Sequence, residues 1–261
     1  MLRFLIFIIV LSIHSYASGA APIVRFDSAH PPNDHMLYQP SVGDSEGRWT
    51  IDETCLHGIV PAGGAKRSPL KWKVDARLEG DFSIAFHYRI HDTPRSKAKS
   101  SAKDSRNNVE LFIAGADGFA SAFHSITPKD ENWGYYVKPA AGKEVFFQIP
   151  ATDRTATLEI RRVGKTLTFH LRGGEIPGMQ IGPPVDFGDS PIHELSLQLF
   201  PYQSPDAIDA SFDEFSIHAD RFVRLRDQSG GGSYMVIGMM ILVVLSIGAF
   251  WALRRKFVAE G

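Results

Sequence analysis

The sequence predicts an all-β domain of two packed antiparallel sheets, followed by one C-terminal transmembrane helix. From residue 70 onward, short segments alternate apolar and polar residues between glycine, proline and aspartate turns, and no long amphipathic helical stretch occurs. Residues 234–253 carry no charge and precede Arg254-Arg255-Lys256, which is typical of a membrane span that ends on the cytoplasmic side.

The alternation predicts the strands one by one. The charges and apolar residues of 70–75 occupy opposite faces, and Phe82, Ile84 and Phe86 begin a longer run of the same kind. Residues 158–171 form a predicted hairpin around Gly164-Lys165. The other predicted strands are residues 109–113, 144–149, 195–199 and 208–218.

The N-terminus has the layout of a secretory signal peptide over residues 1–17. Arg3 precedes an apolar run of about ten residues, which is too short to span a bilayer. Ser15 and Ala17 supply the small residues before the predicted cut. The remaining predicted segments are a polar lead-in packed on the domain (18–47), the β-sandwich (48–222), a flexible glycine-rich tether (223–233) and a cytoplasmic tail (254–261). This order predicts a single-pass membrane protein with an extracytoplasmic domain.

Composition excludes one class of partner and limits how the domain can be stabilised. The formal net charge of −1 is unlike that of a general nucleic-acid-binding domain, which carries a basic excess, so no nucleic-acid partner is expected. Cys55 is the single cysteine, so the domain has no intrachain disulfide and must be stabilised by its core. We expect a buried or inert thiol, while pairing with a second chain remains an alternative.

Three segments resemble the concanavalin A-like jelly rolls. Residues 76–84 (ARLEGDFSI) resemble a strand opening of that fold, residues 156–169 (ATLEIRRVGKTLTF) resemble one of its hairpins, and residues 210–217 (ASFDEFSI) resemble its closing strand. With Glu46-Gly47 and Pro61-Ala62-Gly63, their order is similar to that of an uncharacterised family of secreted or membrane-anchored bacterial proteins. The resemblance covers about residues 22–220. It implies the fold but leaves activity open, because this sandwich hosts lectins, glycanases and adhesive modules.

No catalytic motif is found. Glycanases of this fold carry Glu-x-Asp-x-x-Glu or Glu-x-Asp-x-Glu on one strand, and this chain has neither. Asp213 and Glu214 are adjacent and point to opposite faces of a regular strand. Glu110 and Glu159 both face away from the apolar sides of their strands, so a pair drawn from two strands stays open. We therefore expect a domain that is not an enzyme.

A binding face is the stronger prediction. His87, Arg89, Arg161 and His170 lie opposite the apolar positions of three strands and would form one polar surface if those strands share a sheet. The alternative is that any half-exposed sheet shows such residues. Trp133 and Tyr135 are candidate rings for stacking on sugars. Because Tyr135 and Tyr136 are neighbours in a predicted strand, one of them should face outward.

No cofactor is expected, although calcium is possible. The jelly-roll resemblance makes Asp209 and Asp213 candidate calcium ligands, and solvated surface carboxylates are the alternative. Zinc is not predicted, because His87 and His91 on one strand would stand about 13 Å apart. The basic loop 95–106 could contact an anionic glycan or lipid headgroups, or be solvated and without a partner.

These observations predict a membrane-anchored, non-catalytic β-sandwich that binds a glycan or another component of the cell envelope. A glycan-processing enzyme is the first alternative. A structural or assembly protein of the envelope is the second.

Overall fold

A computed structural model describes residues 24–26, 47–51, 55–63, 68–74, 76–91, 105–173 and 176–224. All regular structure in these residues is β. The strands are β1 (Val24–Phe26), β2 (Arg48–Ile51), β3 (Leu56–Val60), β4 (Leu70–Val74), β5 (Ala76–Ile90), β6 (Arg106–Gly115), β7 (Gly118–Ile126), β8 (Glu131–Pro139), β9 (Val145–Pro150), β10 (Thr155–Val163), β11 (Thr166–Gly173), β12 (Ile176–Gln180), β13 (Val185–Asp186), β14 (Ile192–Tyr202) and β15 (Ile208–Arg224).

The strands form two antiparallel layers. The first layer has the order β2–β3–β15–β5–β10–β11–β12, with β1 also paired to β15 and β13 to β11. The second has the order β4–β14–β6–β7–β8–β9. The layers are joined by hydrogen bonding at one point, where Ile192 of β14 pairs with Leu78 of β5.

The core lies between the layers and is built by the alternation of residues along the strands. In β5, Phe86 and Tyr88 point inward, and in β8 Trp133 and Tyr135 do the same. Rings from opposite layers meet: Tyr135 stacks on Phe169 of β11 with ring centroids 4.1 Å apart. Because each strand contributes one apolar face, the sandwich is stabilised by burial without any disulfide.

A chain of hydrogen bonds crosses this core. The indole Nε1–H of Trp133 donates to the Tyr88 hydroxyl at 2.9 Å, and that hydroxyl lies 2.8 Å from Nδ1 of His124. Tyr88 belongs to the first layer, whereas Trp133 and His124 belong to the second. All three side chains are buried, so the chain satisfies polar groups that would otherwise be costly.

The predicted strands are present, several of them longer than predicted. The hairpin around Gly164 is confirmed, and this glycine has the positive φ of 58° that a tight turn requires. The last strand is longer than predicted because it continues to Arg224 alongside β5. The strand β7 was not predicted from the sequence. Its Phe119 and Phe123 lie on one face and Ala120 and Ala122 on the other, so apolar residues do not alternate with polar ones.

Several predictions concern segments outside the described residues: the signal peptide, the tether after Arg224, the transmembrane segment 234–253 and most of the basic loop 95–106. The first two residues of the predicted tether, 223 and 224, belong to β15. No helix long and apolar enough to cross a membrane occurs in the described part of the chain. β1 falls within the predicted lead-in and pairs with β15 through Val24, Arg25 and Phe26.

The hydrogen-bond chain through the core leads to a stability prediction. Tyr88→Phe keeps the ring but leaves the Trp133 indole and the His124 imidazole without their shared partner. We expect a loss of about 1–3 kcal/mol in the free energy of unfolding, measured by denaturant titration. Tyr202→Phe, at a half-exposed ring, serves as the control and should change stability by less than about 0.5 kcal/mol. Equal losses of stability in the two variants would show that the hydrogen bonds of the Tyr88 hydroxyl do not stabilise the fold.

Candidate functional site

The outer face of the second layer forms a long groove of about 900 Å³. It crosses all six strands of that layer, from β4 to β9. Its side chains are those at the positions between the core residues, so the alternation that builds the core also builds the groove. The lining residues are Pro69, Lys71, Ser105, Arg106, Asn108, Glu110, Phe112, Phe119, Ser121, Phe123, Ser125, Thr127, Asp130, Asn132, Tyr136, Phe146, Gln148, Gln198, Phe200 and Tyr202.

Aromatic rings in this groove form three groups. Phe119 contacts both Phe112 and Tyr136, with ring centroids 5.6 Å apart in each pair. Phe123 stacks on Phe146 at 5.9 Å, and 53% of Phe146 is exposed. Such exposed and half-buried rings are flat apolar surfaces on which a ligand can stack.

The third aromatic group carries a positive charge. Phe200 and Tyr202 meet edge to face, and the guanidinium of Arg106 lies 4.7 Å from the centre of the Tyr202 ring. On β4, the ammonium of Lys71 lies 5.3 Å from the centre of the Phe112 ring. Both cations are thus held over ring faces inside the groove.

Gly134 shapes the floor between these groups. It occupies a groove-facing position of β8, and a Cβ atom there would lie 2.9 Å from the Phe123 ring and 2.3 Å from the carbonyl oxygen of Phe147. The absence of a side chain allows the Phe123 ring to lie across β8 towards Phe146.

Glu110 occupies the middle of the groove. It pairs in register with Gln198 on one side and Phe123 on the other, and it is almost fully buried. Burial raises the pKa of its carboxyl from 4.5 to about 7, although Asn108, Arg106 and Lys71 act in the opposite direction. The Oδ1 atom of Asn108 is buried and has no hydrogen-bond partner among the described residues. The groove therefore offers a ligand both a protonatable carboxyl and an amide oxygen.

The predicted polar surface lies on the opposite side of the sandwich. His87, Arg89, Arg161 and His170 share the outer face of the first layer, because β5, β10 and β11 are neighbours. Arg161 donates to Glu159 at 2.9 Å, and His87 contacts Asp213. Two of the four predicted residues therefore have carboxylate partners on this face, as the alternative of an ordinary half-exposed sheet implies.

The two predicted stacking rings are core residues. Trp133 and Tyr135 are each at most 1% exposed, and Tyr135 donates from its hydroxyl to the Pro183 carbonyl oxygen at 3.0 Å. The residue that faces outward is the neighbour Tyr136, which lines the groove. The expectation that one of the adjacent tyrosines faces outward is confirmed. The parity follows from Trp133, Tyr135 and Val137, which together form the inner face of β8.

Asp209 and Asp213 do not come together as a calcium site. Nε2 of His57 lies 2.6 Å from Oδ1 of Asp209, while Asp213 contacts His87 instead. A β-bulge between Phe212 and Glu214 leaves both Asp213 and Glu214 exposed between the core residues Phe212 and Phe215, so these two neighbours do not alternate as on a regular strand. Imidazole partners are poor calcium ligands, because Ca²⁺ prefers six to eight oxygens.

Glu110 and Glu159 cannot form a catalytic pair. Glu110 lies in the groove of the second layer, whereas Glu159 lies on the outer face of the first layer, hydrogen-bonded to Ser83 at 2.5 Å. The whole core separates them. Sequence reasoning placed both away from their strands' apolar sides, but it could not tell which layer each strand joins.

Comparisons with known proteins agree on fold. No family model matches the chain, and no curated protein matches it. A functionally unknown protein from Saccharomyces cerevisiae is similar with a TM-score of 0.51 and 9% identity, over 74% of this chain and 98% of that one. The CBM2 module of the evolved Dit of Lactobacillus casei BL23 phage J-1 also gives 0.51 and 9% identity, over 79% and 99%.

The fold is a β-sandwich of the jelly-roll type. Both similar structures match nearly their whole length, so the likeness covers the sandwich as a unit. This agrees with the concanavalin A-like architecture that the sequence segments predicted.

The buried Glu110 leads to a prediction about pH. Its pKa is higher in the folded chain than in the unfolded one, so its contribution to stability is full below about pH 4.5 and is lost as the pH rises through 7. Glu110→Gln replaces the ionisable carboxyl with a neutral amide, so the variant does not lose this stability as the pH rises. We expect the variant to gain stability relative to the native chain between pH 5 and pH 8.5, by up to about 3 kcal/mol.

Glu159→Gln is the matched control for this experiment, measured by thermal unfolding at each pH. Burial acts to raise the pKa of Glu159, but hydrogen bonds from Ser83 and Arg161 outweigh it and lower the pKa. Its contribution is therefore present above the unfolded pKa and is lost as the pH falls, so Glu159→Gln should show no gain at alkaline pH. A Glu110→Gln variant without any such gain would contradict the buried, protonated carboxyl.

Proposed function

We propose that the groove of the second layer binds a glycan chain without cleaving it. The observation that carries this proposal is the lining itself: rings at the surface, amides between them and one carboxyl in the middle. Sugar rings present apolar faces and a rim of hydroxyls. Phe146 and Tyr136 supply the flat surfaces for the faces, and Asn132, Gln148 and Gln198 supply donors and acceptors for the hydroxyls.

The arrangement of acidic groups supports binding over hydrolysis. Glycoside hydrolysis uses two carboxyl groups about 5–10 Å apart. The carboxyl groups that line the groove are those of Glu110 and Asp130. Glu110 pairs with Phe123, four residues before Thr127, whose backbone N–H donates to the Asp130 carbonyl oxygen. Four residues of strand correspond to about 13 Å, so the backbones of the two acidic residues lie further apart than the carboxyl groups of a hydrolytic pair.

One observation favours the glycan-processing alternative. A carboxyl with a pKa of about 7 is protonated to a large extent at neutral pH and could donate a proton to a leaving oxygen. Such an enzyme would also need a base or nucleophile on the other side of the bond that is cleaved.

The groove proposal is tested with a glycan array and the purified full-length chain. We expect the native chain to bind a subset of polysaccharide fragments. Phe146→Ala and Tyr136→Ala should each raise the dissociation constant three- to tenfold, because a lost ring contact costs about 0.5–1.5 kcal/mol of binding free energy. Val163→Ala is the control, because Val163 is also exposed but lies on the first layer. Silence of the native chain on the array, or equal losses in all three variants, would contradict the proposal.

The same preparation distinguishes binding from catalysis. Each glycan that binds is incubated with the protein, and new reducing ends or unsaturated ends are measured. The binding proposal expects none. Product that forms with the native chain and not with Glu110→Gln would establish the enzyme and overturn the non-catalytic choice.

We further propose that the sandwich stands at the outer face of a membrane, tethered by the residues between Arg224 and 234 and by the apolar segment 234–253. The signal-peptide layout and the uncharged C-terminal segment support this arrangement. A partner at the cell envelope is then within reach, whether a glycan or an assembly protein. The resemblance to secreted or membrane-anchored bacterial jelly rolls points the same way.

The tether leads to a topology prediction. Protease added outside intact cells should release the sandwich and leave a short membrane-bound fragment that carries the C-terminal tail, detected with an epitope tag after residue 261. Cleavage should not require permeabilised cells, and a cytoplasmic protein serves as the control for intactness. A sandwich that is protected until the cells are opened would place it on the other side.

A further inference from the structure

A second site lies on the opposite side of the sandwich, where three strands meet at one end of the first layer. His57 belongs to β3, Asp209 belongs to β15, and His91 directly follows β5. One nitrogen of each imidazole and one Asp209 oxygen all lie within 4.8 Å of one another. Sequence reasoning missed this cluster because its members are 34 and 118 residues apart along the chain.

Strand pairing explains the approach. β15 lies between β3 and β5, with Asp209 opposite Ile59 and Ala210 opposite Ile90. The backbone N–H of His91 donates to the Asp209 carbonyl oxygen at 2.9 Å, which brings the start of β15 and the end of β5 into register. His57 and His91 thus reach the same spot from two sides, with ring centroids 5.5 Å apart.

We propose that His57, His91 and Asp209 bind a divalent transition-metal ion, with Zn²⁺ as the best match. Two imidazole nitrogens and one carboxylate oxygen are a donor set that zinc prefers. Calcium and magnesium need more oxygen ligands than this cluster supplies. The site is independent of the groove and does not depend on the glycan proposal.

The present distances are compatible with an ion after small side-chain rotations. Zinc bonds of about 2.0–2.2 Å at tetrahedral angles put neighbouring ligand atoms about 3.3 Å apart. His57 Nε2 and Asp209 Oδ1 are 2.6 Å apart and would separate slightly, whereas the wider pairs would close. All three side chains are half-buried, so they have room to rotate without disturbing the core.

A neighbouring depression provides room for a further ligand. It has a volume of about 40 Å³ and is lined by His91, Asp209 and Asn107, among others. This exceeds the volume that one water molecule requires. Three protein ligands leave at least one coordination position, which water fills in many zinc sites.

Asn107 supplies a second and independent indication. Its Nδ2 donates to the Ala207 carbonyl oxygen at 3.1 Å, but its buried Oδ1 has no hydrogen-bond partner among the described residues. A metal-bound water in the depression is a donor of the kind that this oxygen lacks. The Ser211 hydroxyl, 3.0 Å from His91 Nε2, gives that ring a partner that limits its rotation.

An ion here would join three strands. β3 is a short strand that is held on β15, and β5 pairs with the opposite edge of β15. Ligands from all three would link them across the outer face, so metal binding should also stabilise the fold.

The experiment uses the full-length chain without a polyhistidine tag, stripped of metal by a chelator and then titrated with Zn²⁺ in a calorimeter. We expect one Zn²⁺ per chain and no measurable heat with Ca²⁺ at the same concentrations. His57→Ala, His91→Ala and the isosteric Asp209→Asn should each weaken Zn²⁺ binding by at least about tenfold.

His87→Ala is the matched control. His87 lies on β5, which His91 directly follows, and it also contacts a carboxylate, that of Asp213, but it is not in the cluster. This variant should bind Zn²⁺ as the native chain does. Zn²⁺ should raise the melting temperature of the native chain and of His87→Ala, and leave that of the double variant His57→Ala/His91→Ala unchanged.

Any of three results would overturn the proposal. The first is a native chain that binds no Zn²⁺. The second is a double variant that is folded, as judged by circular dichroism, and still binds Zn²⁺ with native affinity. The third is a His87→Ala variant that weakens binding as much as His57→Ala, because the ion would then be held by scattered surface histidines and not by the cluster.

Discussion

Packing of the two layers through their inner faces is the constraint on which the other features depend. Trp72 of β4 meets Phe215 of β15, and Tyr135 of β8 meets Phe169 of β11, so each layer supplies half of every contact. The hydrogen bond from Trp133 to Tyr88 makes this apolar packing specific for one relative position of the layers, because the bond forms only when they are correctly aligned. The result is a domain that needs no disulfide.

Once the inner faces are committed to the core, the outer faces are free to differ. The outer face of the second layer is lined by rings and amides, and it forms a groove. The outer face of the first layer is polar and dominated by histidine, arginine and carboxylate contacts, such as those between Arg161 and Glu159. Because residues alternate between the two faces of a strand, each layer has one inner and one outer set of residues. The composition of the inner set does not fix that of the outer set.

Much of the architecture could be predicted from local pattern. The strands around Gly164 and the run that includes Phe86 and Tyr88 show a clear period of two, and the structure has them. β7 was missed because Phe119 and Phe123 are apolar and face the groove. A strand that is apolar on both faces departs from alternation, so the rings that hid this strand are the ones that line the groove.

The candidate sites were less predictable. The sequence predicted that one ring of the adjacent tyrosines 135 and 136 points outward. It took Tyr135 as the binding residue, whereas Tyr136 lines the groove. His57 carried no signal of its own, since a histidine two residues after a lone cysteine matches no metal-binding spacing.

The sequence by itself determined the all-β class, most of the strands and the parity of those strands that alternate clearly, because these depend on the spacing of apolar residues along a few positions. It also determined the layout of the two terminal apolar segments. Only the tertiary structure decided which outer face each strand contributes to. That choice placed Glu110 and Glu159 on opposite sides and brought His57, His91 and Asp209 to one spot. Strand order depends on pairing between residues far apart in the chain, and no local pattern records it.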